Sequence, residues 1–349
     1  MIRFRNALVA ASAAVLLMGT TAPAPAQTVE GPEVSWEVSL WGPPRAFTVA
    51  LETMKDMLAE RTDGRFKMTL HYAEAISPAR ENLDGLQVEA FEMAQVCAFY
   101  HPGKNPLLTG PDLPFLPIGD LDVKHRVTDA YFQHPAVAEE MKRWNAKLLF
   151  DNLLPQYEFF GVGEMPVDLE QWRGRRVRTP GGIGRAMSEL GAVPTTVPAP
   201  EVYTSMERGL LDAASFPYTY SHISYGLHEI SDWYTANMSP GSAVCPTVVS
   251  ITAWEALPEQ YRSLITDEIL PIALERLKEA YYKADEENFP LMEQRGLKPI
   301  VYTDEQLAEF RRVGAQPIWD AWVADMEGQG LPGQELLDLI LATAAESSS

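Results

Sequence analysis

Short runs with the two-residue period of a strand take turns with runs of helical spacing along nearly the whole chain, and that alternation restricts the fold to the α/β class. Val34-Ser35-Trp36-Glu37-Val38-Ser39-Leu40-Trp41 alternates like a strand and stops at Gly42-Pro43-Pro44. Helical spacing over 46–59 follows, then a strand over 66–72, a helix over 80–89 and a strand over 93–100. A proline-punctuated loop from Pro111 to Pro117 precedes helices over 125–132 and 136–145. Strands are expected over 147–154, 156–162 and 243–252, and Pro258 to Arg295 reads as one long helical tract bent at Pro271.

The chain has 349 residues, enough for about two domains. Two of its segments echo each other: 86–94 and 205–213 both read as a helix, a short loop, an acid and a small-residue strand. That echo points to two similar α/β lobes, with 27–154 plus 243–280 forming the first and 155–242 plus 281–325 the second. A C-terminal helix and polar tail then occupy 326–349.

The N-terminus sets the compartment. Arg3 and Arg5 precede an apolar run from Ala7 to Gly19, and Ala24-Pro25-Ala26 offers a small-x-small cleavage site, so 1–26 reads as a secretory signal peptide. The apolar run is short for a membrane span, although an uncleaved anchor is the alternative. No cysteine lies near the cleavage site, which argues against lipid anchoring, and the periplasm is the expected location. Over the whole chain, 28 Lys and Arg stand against 48 Asp and Glu, so a nucleic-acid partner is not expected. Cys97 and Cys245 could pair in an oxidising compartment. Each sits in an apolar, strand-like run where a buried free thiol is as natural, and free thiols are the reading the sequence favours.

One segment reverses the sign of the charge. Trp172-Arg173-Gly174-Arg175-Arg176-Val177-Arg178-Thr179-Pro180 places four arginines within six residues of an acidic chain. In a strand Arg176 and Arg178 share a face, and a guanidinium there can meet a carboxylate with two parallel hydrogen bonds. Standing alone, the segment would read as an edge strand with solvated arginines. It is followed by Gly181-Gly182-Ile183-Gly184, read as a turn, a short helix to Leu190, and Pro200-Glu201-Val202-Tyr203 leading to Gly209-Leu210-Leu211-Asp212-Ala213.

This succession is similar to the signature half of the solute-binding proteins of TRAP transporters, the tripartite ATP-independent systems of the dicarboxylate-binding (DctP) type. In that family a Gly-x-x-x-Arg-x-Pro strand supplies the arginine that clamps the substrate carboxylate; Gly174, Arg178 and Pro180 stand at those positions. Glu201, Val202, Tyr203, Gly209 and Asp212 match the family's later Glu-Val-Tyr and Gly-x-x-Asp-Gly, with Ala213 in place of the usual glycine. Where a polar ligand-touching residue often follows, this chain has the run from Ala214 to Tyr218, so Phe216 and Tyr218 are expected to wall the pocket. Trp254 to Gln260 resembles the lead-in to the family's long helix and Thr303 to Leu307 the start of a late helix. Ile76 to Glu81 and Leu86 to Ala94 resemble a first-domain helix and strand, with Glu89 and Glu92 where the family usually has Gly and Asp. The resemblance covers nearly the whole chain beyond the leader and is looser outside 168–217.

The resemblance implies a two-lobed periplasmic binding protein fold, with the ligand in a cleft between the lobes and a long helix spanning both. It implies an extracytoplasmic receptor that takes an organic acid and delivers it to membrane permease subunits. Arg178 is the expected carboxylate clamp. Trp41 and Arg45 sit where the first strand gives way to a helix, on the side of an α/β sheet where ligands bind; Trp41 stacks on the ligand or packs in the core. Arg80 begins a first-lobe helix and approaches an anion or lies at the surface. Gln156 and Tyr157 fall at the inferred crossover between lobes, and Phe216, Tyr218 and Tyr220 would share one face if their run is extended.

An enzyme is not expected. The six histidines form no His-Glu-x-x-His set, the two cysteines no Cys-x-x-Cys pair, and there is no Gly-x-Ser-x-Gly elbow. The glycines at 181–184 lack dinucleotide or P-loop spacing. No cofactor is called for and no metal ligands are singled out, whether a metal ion accompanies the ligand is left open, and a monomer is expected over a dimer. A periplasmic sensor or adaptor would have the same ligand chemistry, so the sequence leaves transport and sensing open, along with the identity of the acid.

Overall fold

Two sheets organise the protein, whose computed structural model describes residues 28–346. The expected leader at 1–26 lies outside the described residues. In chain order the strands are Val34–Ser39 (β1), Phe66–His71 (β2), Met93–Gln95 (β3), Ala146–Asp151 (β4), Tyr157–Gly161 (β5), Arg176–Arg178 (β6), Val193–Thr195 (β7), Ala213–Pro217 (β8), Trp233–Thr235 (β9), Pro246–Ser250 (β10) and Lys298–Ile300 (β11). The first sheet has the order β2-β1-β3-β10-β4 and the second β11-β9-β5-β8-β6-β7. Each is mixed: β1 runs parallel to β2 and β3, and β10 antiparallel to β3 and β4. In the second sheet β6 runs parallel to β7 and β8, and β5 antiparallel to β8 and β9.

The alternation seen in the sequence has its physical counterpart in burial. Trp36 and Val38 are buried in β1 while Ser35 and Glu37 face outward. Strands surrounded on both faces, β5, β8 and β10, are buried at every position.

The two echoing segments fold alike. In the first lobe a helix Asn82–Gln87 ends at Glu89, whose φ is +55°, and the chain enters β3; in the second, a helix Val202–Glu207 ends at Gly209, φ +68°, and enters β8. The acid before each strand does the same work. The Glu92 carboxylate accepts from the backbone N–H of Glu37 at 2.7 Å, and the Asp212 carboxylate accepts from that of Arg176 at 2.7 Å. Each acid thus ties its strand to the neighbouring parallel strand, and Glu92 serves where the family pattern has Asp because its longer side chain still reaches.

Between Pro258 and Gln294 the chain is helical throughout, with its irregularity just ahead of Pro271. Leu264–Ile269 is a π-helical turn, and Pro271 sits in the first turn of the α-helix Leu270–Gln294, where its missing N–H is not needed. This helix packs Leu270, Leu274 and Leu277 into the core. It joins the lobes: the Tyr281 hydroxyl donates to the Asn152 carbonyl at 2.7 Å, and the Asp285 carboxylate accepts from the backbone N–H and the hydroxyl of Thr219, both at 2.7 Å. The last two helices, Gln316–Gly328 and Gly333–Glu346, bring Trp322, Leu336 and Ile340 into a cluster with Val127 and Tyr131 of the helix Leu121–Gln133.

Besides the helical tract from β10 to β11, two segments cross between the sheets, one from β4 to β5 and one from β9 to β10. Lys124, fully buried, holds both. Its ammonium donates to the carbonyls of Leu154 and Ala243, each at 2.9 Å, and to the Ser242 hydroxyl at 2.6 Å, with the Asp151 carboxylate 3.9 Å away.

Two further expectations are corrected. Cys97 and Cys245 are not free thiols; they form a disulfide. Cys97 follows β3 and Cys245 precedes β10, neighbouring antiparallel strands, a proximity that sequence separation hides. Gly181 to Gly184 are not a turn but the first turn of the helix Gly181–Glu189, capped by Pro180. Glycines are admitted there because the helix end is pressed against its surroundings: a Cβ on Gly184 would meet Thr179 and Pro194 at 3.1 and 3.3 Å.

Candidate functional site

Strand β6 separates its two arginines by environment although they share a face. Arg176, at the exposed end, meets Asp212 with two hydrogen bonds, Nε to Oδ2 at 3.1 Å and Nη2 to Oδ1 at 2.5 Å. Its carboxylate is supplied by the protein itself, and the pairing holds Asp212 below the usual carboxylate range. Arg178, at the other end, is 1% exposed and makes no ion pair with any described residue. Its Nε donates to the Val197 carbonyl at 3.0 Å, Nη1 to the Ser215 carbonyl at 2.9 Å and Nη2 to the Tyr100 hydroxyl at 3.3 Å. The Phe216 ring lies 4.2 Å beneath the guanidinium.

A guanidinium has five N–H groups, so these contacts leave two, one on each terminal nitrogen. That edge is the one a carboxylate meets bidentately. A buried cation with no counter-ion is unfavourable unless something anionic joins it, because the low-dielectric interior replaces water's solvation poorly.

The space beside Arg178 is a small cavity of about 30 Å³ between the lobes. Of the residues singled out in the sequence, Trp41, Arg45, Tyr157, Arg178, Phe216 and Tyr220 line it together. They converge for a topological reason: Trp41–Arg45 follow β1, Arg178 ends β6, and Phe216 and Tyr220 lie at the end of β8, all at the C-terminal ends of parallel strands. No Asp or Glu lines the cavity.

Three expected residues stand outside the cavity lining. Arg80 is exposed and spans the lobes, its Nη2 donating to the Thr196 carbonyl at 2.5 Å. Gln156 is half-buried beside Gly119. Tyr218 turns toward the long helix, its ring 5.4 Å from that of Phe289. The common face expected for Phe216, Tyr218 and Tyr220 is therefore not formed: β8 ends at Pro217 and a helix begins at Tyr220, so strand parity stops between them.

Several lining residues escaped the sequence reading. Tyr100 belongs to a 3₁₀ turn after β3, and its hydroxyl accepts from the Ala199 backbone N–H at 2.9 Å as well as from Arg178, so one first-lobe oxygen is bonded to two second-lobe groups. Phe99, Ser221, Tyr225 and the Cys97–Cys245 disulfide complete the wall. The rule that sites gather at strand C-termini applied to β3 as it did to β1 would have pointed to 97–100. Burial raises the hydroxyl pKa of Tyr157, Tyr220 and Tyr225, so all three are neutral donors. Among the described residues no cluster of His, Cys, Asp and Glu is suited to hold a metal ion, and no helix is long and apolar enough to cross a membrane.

Comparison with known proteins gives a consistent picture. The family model described as bacterial extracellular solute-binding protein, family 7 (DctP) matches residues 40–325. A monocarboxylate 2-oxoacid-binding periplasmic protein of Nostoc sp. is 24% identical over 297 residues, covering 81% of this chain and 78% of that protein. In fold, the chain is similar to a TRAP solute-binding protein from Rhodoferax ferrireducens solved with copurified benzoate, with a TM-score of 0.80, 19% identity and coverage of 90% of this chain and 98% of the other. It is also similar to a TRAP periplasmic solute-binding protein from Desulfovibrio salexigens with bound orotic acid, with a TM-score of 0.79, 19% identity and coverage of 89% and 99%.

Proposed function

Because the chain belongs to the bacterial extracellular solute-binding proteins of family 7, we propose that it is the receptor of a TRAP transporter, capturing an organic acid between its lobes in the periplasm and handing it to membrane permease subunits. The observation that carries this reading is Arg178: fully buried, unpaired by any described carboxylate, and lining the cavity between the lobes with two N–H groups beyond its three hydrogen bonds. The ligands named for the relatives, a 2-oxoacid, benzoate and orotic acid, share a carboxylate or its equivalent, in line with that arginine.

In this reading Arg178 clamps the carboxylate, while Trp41, Phe216, Tyr157 and Tyr220 enclose the body of the molecule. Residues 27–154 with 243–280 and 155–242 with 281–325 move as the two lobes, and the protein acts as a monomer. Closure replaces water by protein dipoles and strengthens the arginine contact. The family is one of binding rather than of catalysis, and we propose capture and release without turnover.

A thermal-shift screen of the purified protein against organic acids, with their uncharged amides as controls, tests the reading. A ligand that binds only the folded state raises the melting temperature. A rise with acids and none with amides is expected. The reading is overturned if no acid raises it and denatured protein releases no bound acid.

A further inference from the structure

The hydroxyl of Tyr100 holds two partners and still has its own hydrogen to give. Its oxygen lies 2.9 Å from the backbone nitrogen of Ala199 and 3.3 Å from Nη2 of Arg178. A peptide N–H and a guanidinium can only donate, so the oxygen accepts from both and the O–H is spent on neither. Among the described residues that O–H meets no acceptor, although Tyr100 is buried at 5% exposure. With Arg178, Tyr100 lines the cavity between the lobes.

The second-lobe loop between β7 and the Val202–Glu207 helix is gripped from both sides of that cavity. The Thr196 carbonyl accepts from Arg80 at 2.5 Å, the Val197 carbonyl accepts from Arg178 at 3.0 Å, and the Ala199 N–H donates to Tyr100. Arg80 and Tyr100 are the first-lobe members of this set, with the Arg80 guanidinium 5.7 Å from the centre of the Tyr100 ring. Only Tyr100 of these two belongs to the cavity wall. Its ring packs on Phe99 at 4.5 Å and on Trp41 at 6.1 Å, which fixes where the hydroxyl stands.

Resting on the carboxylate reading above, we infer that Tyr100 is the group through which the first lobe detects an acid on Arg178, its O–H donating to the carboxylate and latching the cleft. In a shut and empty cleft, an O–H without an acceptor stands against a guanidinium without a counter-ion, and two unmet donors side by side favour opening. A carboxylate on the two remaining N–H groups of Arg178 answers both, because it has lone pairs and no hydrogen. An amide in the same place turns an N–H group toward one of the donors. A ligand shifts a conformational equilibrium only through contacts that differ between its states, and the Tyr100 bond exists in the closed state alone. Arg178 thus supplies capture from one lobe, and Tyr100 supplies closure from the other.

Tyr100→Phe tests this, since it keeps the ring and removes the hydroxyl. The probe is whichever of pyruvate, 2-oxobutyrate, benzoate and orotate gives the largest thermal shift, followed by stopped-flow tryptophan fluorescence. Dissociation is expected to quicken about tenfold or more with association unchanged, because the latch forms after capture. Scattering from the acid-saturated variant should give a larger radius of gyration than from the unaltered protein. The urea midpoint of the acid-free variant should match that of the unaltered protein, because the open form does not make these bonds. An unchanged dissociation rate overturns the latch and leaves Arg178 as carboxylate clamp, and so does a fall in acid-free stability large enough to account for the lost affinity. If no acid binds the unaltered protein once it is freed of copurified ligand, the carboxylate reading itself fails and the latch with it.

Discussion

A Cβ placed on Gly182 would fall 1.9 Å from the carbonyl oxygen of Asp112. Gly182 opens the second-lobe helix that follows the Arg178 strand, and Asp112 ends a 3₁₀ turn of the first lobe, so the lobes meet here backbone to backbone. No side chain can bend away to relieve such a contact, and the glycine sets how far the cleft can close.

Gly182→Ala is therefore expected to hold the lobes apart without unfolding either one. Overpacking at a fixed contact costs about 1–3 kcal/mol, and here that cost falls on the closed form alone. Acid affinity should drop by about tenfold or more, and small-angle scattering of the acid-saturated protein should report a larger radius of gyration than for the unaltered chain. Unchanged affinity would show that this contact does not govern closure.

Arg178→Gln should abolish acid capture, at a loss of about 2–5 kcal/mol in binding free energy, comparable to truncating one partner of a buried charged pair. Arg178→Lys should recover little of it, because an ammonium cannot reproduce the planar pair of N–H groups facing the cavity. Calorimetry on the folded variants, with circular dichroism to confirm the fold, separates lost recognition from lost structure. Full affinity in Arg178→Gln would remove the residue from the site.

Reduction should destabilise the protein while β3 and β10 remain paired. The Cys97–Cys245 disulfide closes a loop of sequence separation 148, for which chain entropy gives up to about 5 kcal/mol. Urea unfolding with and without reductant measures the difference, and Cys97→Ser with Cys245→Ser should match the reduced protein. Thiol titration of the denatured, unreduced chain is expected to find no free cysteine; two free thiols would contradict the disulfide.

Glu140 makes stability depend on pH in a defined direction. Burial pushes its carboxyl up to about 7 from an ordinary 4.5, although the backbone N–H groups of Leu107 and Leu108 donate to it at 2.9 and 3.1 Å. A raised folded-state pKa means that the folded protein holds a proton the unfolded chain has released. The contribution is complete below about 4.5 and is lost as pH rises through 7. Glu140→Gln, which does not titrate, should gain on the unaltered protein across that window by up to about 3 kcal/mol. Chemical denaturation at several pH values checks the slope, and parallel curves would refute the assignment.

Much of this architecture was legible in the residues because it is local. The period of Val34–Ser39 and the Thr303-Asp304-Glu305-Gln306 start, which folds as a capping box, are decided within a few residues of themselves. The parallel between Glu92 and Asp212 was also visible, since the same helix–loop–acid–strand order produces the same backbone tie in each lobe. Misreadings came where a local rule met a distant neighbour. Gly181 to Gly184 resembled a turn until the Asp112 backbone explained why a helix would begin on glycines. Tyr218 kept strand parity on paper and lost it where β8 stops.

The sequence by itself determined that two α/β lobes form and that β6 would present arginines on one face, since side-chain period is a property of the strand alone. Which arginine would face a ligand was decided by tertiary structure. Arg176 finds Asp212, thirty-six residues away, and is neutralised there; Arg178 finds two carbonyls and a tyrosine hydroxyl, and keeps its charge uncompensated in a closed cavity. The same holds for Arg45 and Tyr225, which follow β1 and β8 in different lobes and are brought to one cavity by the fold. A residue's type fixes what it can bind, but the counter-charge and the exclusion of water that make it a site come from chain segments far away in sequence.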